Sequence, residues 1–143
     1  MNAASRSSDL PVELSEEVVR RLVRVFYVRA RSDAVLGPIF EKHVGHRWEA
    51  HLSALVDFWS SVALMSGRYS GKPHLAHVPL GLSPEHFERW LRLFEETVPE
   101  VCQGRAAALL VDRAHRIADS LQIGLGIGTK ALRLPAKTVA DAS

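Results

Sequence analysis

Apolar residues recur at intervals of three and four along most of this chain, the spacing of one face of an α-helix. The first stripe follows Ser15, a residue type favoured just before a helix, and Glu16 and Glu17 suit the helix dipole. Its members are Val18, Val19, Leu22, Val23, Phe26, Tyr27 and Ala30. After it, Leu36-Gly37-Pro38 predicts a turn.

Three further stripes predict three more helices. The second contains Trp48, Leu52, Leu55, Val56, Trp59 and Val62, with His51 on the same side. The third follows Ser83-Pro84 and contains Phe87, Trp90, Leu91, Phe94 and Val98, and Pro99 should kink or end it. The fourth begins after Gly104 and contains Ala107, Leu110, Val111, Ala114, Ile117, Ala118 and Leu121. Because no strand-like alternation stands out, the fold class is predicted to be all-α.

Residues 67–83, between the second and third stripes, contain several glycines together with Pro73 and Pro79, which exclude a long regular helix. The segment is too apolar for a solvated linker, so we predict a packed functional loop with one short helical turn around His77. The expected organisation is a flexible extension over 1–14, one domain over 15–122, and a frayed or disordered tail over 123–143.

Composition excludes several classes of protein. The net charge of +2, from 18 basic and 16 acidic residues, is too even for a typical nucleic-acid binder. The single cysteine, Cys102, allows no internal disulfide and no cysteine-based zinc cage. No apolar run reaches the length of a membrane helix, and the first residues lack the apolar core of a secretory signal. We therefore expect a cytoplasmic protein that does not insert into membranes.

Seven histidines are the compositional outlier. His77 lies among apolar neighbours and could ligate a haem iron, which needs an imidazole from the wall of an apolar cavity. A buried histidine bonded to the backbone explains the same pattern, and His74 is an equally good ligand by its chemistry. The spacing of His43, His46 and His51 does not stack them on one helix face, which argues against a zinc site.

Three other polar-tipped residues, Tyr27, His51 and Trp90, fall on the inward faces of three different helices. Each is either a plain member of the core or a group aimed at a bound ligand, and helical periodicity does not separate the two interpretations. His86 and His115 are predicted at the surface. Cys102 lies beside a helix end with no charged partner evident, so a reactive thiol is a weak interpretation.

A set of short motifs resembles the third group of truncated haemoglobins. These are Val25-Phe26-Tyr27, Leu36-Gly37-Pro38-Ile39-Phe40, Trp48-Glu49-Ala50-His51, Asp57-Phe58-Trp59, Gly67-Arg68-Tyr69-Ser70-Gly71-Lys72-Pro73 and Phe87-Glu88-Arg89-Trp90-Leu91. Their order and spacing run from about Val18 to Leu121. The glycine pairs typical of the other two groups are missing at the matching turns.

This resemblance implies a shortened two-over-two globin fold around one haem b. It assigns His77 as the proximal ligand of the iron, and Tyr27, His51 and Trp90 as the distal pocket. Phe40 matches a phenylalanine that packs on the haem. The remaining residues expected to contact the cofactor or its propionates are Leu55, Arg68, Tyr69, Lys72, His74 and Phe87.

The resemblance also implies a function: binding of dioxygen, nitric oxide, cyanide or peroxide at the haem, with oxygen binding and transport as the general class. A haem enzyme, acting as a nitric oxide dioxygenase or peroxidase with an external reductase, is the alternative. A haem-free helical interaction module is the third interpretation. A monomer or weak dimer is expected.

Overall fold

The computed structural model describes residues 9–69, 71, 73, 77 and 80–127, and within these residues the chain is helical and contains no strand. Five α-helices lie wholly within the described residues: α1 (Glu16–Arg31), α2 (Gly37–His43), α3 (Trp48–Leu64), α4 (Pro84–Thr97) and α5 (Gly104–Leu125). Single 3₁₀ turns, Gly45–Arg47 and Val98–Glu100, precede α3 and follow α4. The predicted all-α class is confirmed. None of these helices combines the length and the apolar character needed to cross a membrane.

The helix ends follow the local chemistry that the sequence indicated. The Ser15 hydroxyl accepts a hydrogen bond from the main-chain N–H of Val18 at 3.2 Å, as an N-cap does. Met65 closes α3 in the left-handed conformation, with φ of 60°. Helix α5 continues past residue 122 to Leu125 and ends at Gly126, whose φ of 72° is a common helix stop. The start of the predicted tail is therefore helical.

Helix α2 was not predicted, because Gly37-Pro38 was interpreted as a turn. Proline is compatible with the first turn of a helix, because the N–H groups there have no partner within the helix. Here Pro38 lies in the first turn of α2. Gly37 is needed for a steric reason: a Cβ atom at this position would lie 2.5 Å from the carbonyl oxygen of Arg31. The glycine therefore lets α2 approach the end of α1 closely.

Helix α1 packs on α3 and α4, and α5 packs on α4 and α3. The pairs α1/α3 and α4/α5 form the two-over-two arrangement that the resemblance implies. Phe26, Trp59 and Phe94, each at most 1% exposed, lie where these pairs meet. The rings of Phe26 and Phe94 make an edge-to-face contact with centroids 5.1 Å apart, a favourable aromatic geometry.

Part of the predicted flexible extension is bound to the domain. The carbonyl of Pro11 accepts from the N–H of Gln103 at 2.8 Å, and that of Val12 accepts from the N–H of Ala106 at 3.1 Å. These bonds satisfy donors at the start of α5 that have no partner within the helix. Residues 1–8 and 128–143 lie outside the described residues, so the division into extension, domain and tail otherwise stays a prediction.

The turn after α1 is fixed by one carboxylate. Oδ2 of Asp33 accepts from the main-chain N–H groups of Val35 and Leu36, both at 2.9 Å, and from Nε of Arg89 at 2.7 Å. The Arg89 guanidinium, helped by the two N–H groups and opposed by burial, lowers the pKa of this carboxyl from 3.8 to about 2. Asp33 thus joins the α1–α2 turn to α4.

Replacing this carboxylate should destabilise the protein in a pH-dependent way. We expect Asp33→Asn to lower the free energy of unfolding at pH 7 by about 1.5–3 kcal/mol, the range for hydrogen bonds to charged groups. Because the pKa of Asp33 is depressed in the folded state, its contribution is complete at neutral pH and is lost as pH falls through about 2. Urea unfolding near pH 3 should show roughly half the deficit seen at pH 7.

The matched control is Asp112→Asn, which removes exposed ion pairs to Arg113 and Arg116. Such pairs contribute little, so a loss below about 0.5 kcal/mol is expected. An equal loss from both substitutions would contradict the anchoring role of Asp33.

Candidate functional site

A cavity of about 550 Å³ lies among the five helices and the segment that joins α3 to α4. Every helix contributes to its wall, which is mainly apolar. The larger apolar side chains that line it include Phe40, Leu55, Phe58, Phe87, Ile117 and Leu121. A volume of this order is typical of sites for small molecules and cofactors.

The structure brings together four predicted site residues, because Tyr27, His51, His77 and Trp90 all line this cavity. The ring centroid of Tyr27 lies 6.4 Å from that of His51. Phe40 lies 6.1 Å from each of these two rings, measured between centroids. Three inward-facing residues of α1, α2 and α3 therefore form one side of the cavity wall.

Tyr27 is only 5% exposed, as expected from its place on the apolar stripe. Burial raises the pKa of its phenol to about 12, and the neighbouring indoles of Trp59 and Trp90 oppose this rise. Tyr27 therefore stays protonated at neutral pH.

His51 is half-buried and projects from α3 into the cavity. Burial lowers the pKa of its imidazole below the usual value, and the neighbouring His77 and Arg47 lower it further. The ring is therefore neutral at neutral pH. A neutral imidazole has one donor and one acceptor nitrogen, so His51 can bond to a ligand in either sense.

His77 lies at the cavity wall with one ring nitrogen already engaged. Its Nδ1 is 2.6 Å from the carbonyl oxygen of Pro73, and both residues have helical backbone conformation. Because a carbonyl only accepts, Nδ1 must hold the proton and donate it. In the neutral ring the other nitrogen, Nε2, then has a free lone pair, which is how metal-ligating histidines are commonly arranged.

The other residues that the resemblance places in contact with the cofactor or its propionates are found in three different situations. Tyr69 lines the cavity, and its ring packs edge-to-face on Phe58 with centroids 5.2 Å apart. Arg68 does not line it, because its guanidinium is paired with Glu16 and Asp57. Lys72 and His74 lie outside the described residues. Phe40, Leu55 and Phe87 line the cavity as expected.

Comparison with known proteins identifies the family. No family model matches the chain. It is 34% identical over 113 residues to the group 3 truncated hemoglobin ctb of Campylobacter jejuni, covering 76% of this chain and 89% of that protein. The crystal structure of group III truncated hemoglobin from the same organism superposes with a TM-score of 0.74 at 33% identity, covering 79% of this chain and 92% of that one. The chain belongs to the group 3 truncated haemoglobins.

In this truncated haemoglobin the cavity also has wall residues that sequence reasoning missed. His43, Arg47 and His86 line it and bring nitrogen donors to it. His86 was predicted at the surface, but its Nδ1 accepts from the N–H of Ser83 at 2.9 Å, which folds the ring back over the start of α4. The serine three residues earlier was the available signal, since capping pairs have this spacing.

Other candidate chemistry receives no support within the described residues. No three histidine, cysteine or acidic side chains among them form a cluster that could hold a metal ion, so His43, His46 and His51 do not build a zinc cage. Cys102 is fully buried, and burial raises the pKa of its thiol, which disfavours the reactive thiolate. His115 is exposed, as predicted.

Removing the Tyr27 hydroxyl should destabilise the protein, by an amount that decreases at alkaline pH. We expect Tyr27→Phe to be less stable by about 1–3 kcal/mol at pH 9, because the buried hydroxyl beside the indoles of Trp59 and Trp90 is lost. The raised pKa of about 12 means that the phenol's contribution is present below pH 10 and is lost as pH rises through 12. The deficit should shrink by about 2 kcal/mol near pH 11.5, measured by urea unfolding. A deficit that does not change with pH would contradict the burial of a protonated phenol.

Proposed function

We propose that the cavity holds one haem b through Nε2 of His77 and that the protein binds dioxygen or a similar small ligand at this haem. The observation that supports this most strongly is the state of His77. It lies at the wall of an apolar cavity of about 550 Å³, with Nδ1 committed to the Pro73 carbonyl and Nε2 free to coordinate. Membership of the group 3 truncated haemoglobins supports the same cofactor.

The wall has the chemistry that a large, flat, mostly apolar group needs. Phe40, Phe58 and Ile117 are only partly buried although they pack against the core, because they also face the cavity. Covering such side chains with an apolar ring system would remove their surfaces from water, which is favourable.

The polar wall residues suit the carboxylates that haem carries at its edge. His43, Arg47, Tyr69 and His86 offer imidazole, guanidinium and hydroxyl donors, and charge-assisted hydrogen bonds to carboxylates are among the stronger ones. These four residues are the partners that we assign to the haem propionates. Arg68 fits the role less well, because its guanidinium already pairs with two carboxylates elsewhere.

Bound haem would supply an iron with an open coordination position, which accepts dioxygen, nitric oxide, cyanide or peroxide. The residues of this chain would orient and hold the ligand. Tyr27, kept protonated by burial, is the donor that we assign to a ligand with partial negative charge. His51, neutral and half-buried, is placed to bond to the ligand or to control its entry.

The enzymatic alternative would use the same pocket with electrons from an external reductase. Nothing in the described part of the chain favours it over ligand binding, so ligand binding is the function proposed. A haem-free interaction module fits less well, because helices that merely pack on each other do not need a cavity of about 550 Å³. The cytoplasmic location, the oligomeric state and the reductase stay predictions.

Haemin titration tests the cofactor assignment. We expect the wild type to take up one equivalent of haemin, as monitored by quenching of tryptophan fluorescence. His77→Ala should lose affinity for haemin by about tenfold or more, because a coordinate bond is absent. His115→Ala is the matched control, since that ring is exposed and contacts only Glu95 at 3.4 Å among its described partners. No haemin uptake by the wild type would refute the proposal. Equal affinities of wild type and His77→Ala would refute the ligand assignment.

The donor role of Tyr27 is tested by dioxygen release. Tyr27→Phe should raise the dissociation rate constant by about tenfold to a hundredfold, the equivalent of one hydrogen bond to a charged acceptor. Stopped-flow displacement of dioxygen by carbon monoxide measures this rate. An unchanged rate constant would show that another group, or none, holds the ligand.

A further inference from the structure

Trp48 is a buried aromatic residue to which the resemblance assigns no role in the site, although it begins the motif that ends at His51. It is the first residue of α3, is 9% exposed and does not line the cavity. Residues three apart on a helix lie on the same face, so the Trp48 indole is a neighbour of the His51 imidazole. Any effect of Trp48 on a ligand in the cavity is therefore indirect.

The imidazole of His51 packs among aromatic rings from three helices. Its centroid lies 6.1 Å from that of Trp48 on α3, with the two ring planes 39° apart. The ring centroids of Phe40 on α2 and Tyr27 on α1 lie 6.1 Å and 6.4 Å away. These separations are within the range in which aromatic rings attract one another. Within the described part of the chain, ring contacts and not hydrogen bonds hold the imidazole in the cavity wall.

Trp48 is itself held by residues of the two preceding helices. The guanidinium carbon of Arg31, the last residue of α1, lies 4.5 Å from the centroid of the indole, which is the geometry of a cation–π contact. Phe40 of α2 meets the same indole edge-to-face, with centroids 5.8 Å apart. Because Arg31 is exposed and Trp48 is buried, the cation covers the indole from the solvent side. Groups outside α3 therefore hold the indole beside His51.

We propose that Trp48, held in place by Arg31, is a positioning residue that keeps the His51 imidazole inside the cavity and so limits the entry of small ligands. His51 is half-buried, so a change of side-chain rotamer can carry its ring between the cavity and solvent. Without the indole beside it, the imidazole spends more time outside, and the path to the interior is open more often. The kinetic consequence rests on the proposed function, whereas the position of the ring does not.

Arg31→Gln tests this role at an exposed residue, where substitutions are usually well tolerated. It removes the cation from the Trp48 ring. We expect the association rate constant of carbon monoxide with the ferrous haem protein, measured by flash photolysis, to rise about twofold to fivefold, the equivalent of one exposed cation–π contact. In the His51→Ala background the same substitution should change it little, because the ring through which Trp48 acts is absent. Equal effects in both backgrounds, or none in either, would overturn the proposal.

The matched control is Glu41→Gln. The Glu41 carboxylate pairs with Arg31 at 3.8 Å and its side chain is 71% exposed. The substitution therefore removes this ion pair and leaves the cation over Trp48. Exposed pairs contribute little, so an unchanged association rate constant is expected. A rise equal to that of Arg31→Gln would show that the ion pair, and not the contact with Trp48, controls the site.

Trp48→Leu removes the indole itself, and NMR then reports the position of His51 without ligand chemistry. With zinc protoporphyrin as a diamagnetic substitute for haem, we expect nuclear Overhauser effects between the ring protons of His51 and Phe40 in the wild type. Trp48→Leu and Arg31→Gln should weaken these effects, and Glu41→Gln should not. Undiminished effects in both of the first two variants would show that Trp48 does not hold the imidazole.

These spectra distinguish the two possible failures. If the wild type takes up neither haemin nor zinc protoporphyrin, the proposed function fails, and the same spectra of the haem-free protein still decide what holds His51. If haem is bound but Trp48→Leu changes neither the association rate constant nor the position of His51, only the positioning role is wrong.

Discussion

The cost of an apolar cavity inside a small domain is the constraint on which this structure depends. The cavity of about 550 Å³ is lined mainly by apolar side chains, and water inside it would leave that apolar surface exposed. A flat, mostly apolar cofactor would remove this surface from water. The size and the apolar wall of the cavity both favour a resident group such as haem.

The elements around the cavity are held in place largely by polar contacts outside it. Asp33 joins the α1–α2 turn to α4 through Arg89. Arg68 joins the segment after α3 to Glu16 at the start of α1 and to Asp57 on α3. The segment that holds the proposed haem ligand therefore begins at a fixed point, while the interior stays available for apolar contact.

Sequence reasoning predicted the helices, which depend on local periodicity, and missed the contacts that depend on tertiary packing. Four long stripes located four helices, because helical spacing survives in a single chain. Helix α2 is too short to show a stripe, and Pro38 was interpreted as a breaker. Arg68 was expected at the haem edge from its position near the loop, whereas its charge pairs with Glu16, 52 residues away. No sequence pattern could show that Tyr27, His51 and Trp90 converge on one cavity, since residues on different helices meet only in the fold.

The most direct test of the central claim is the resonance Raman spectrum of the reduced, ligand-free protein. An iron–imidazole stretching band comes only from a haem bound to a histidine whose bond to the iron is intact. The account predicts this band in the wild type, at a frequency that reflects the hydrogen bond from Nδ1 of His77 to the Pro73 carbonyl, and its loss in His77→Ala. A haem-loaded wild type without the band, or an unchanged band in the variant, would contradict ligation by His77.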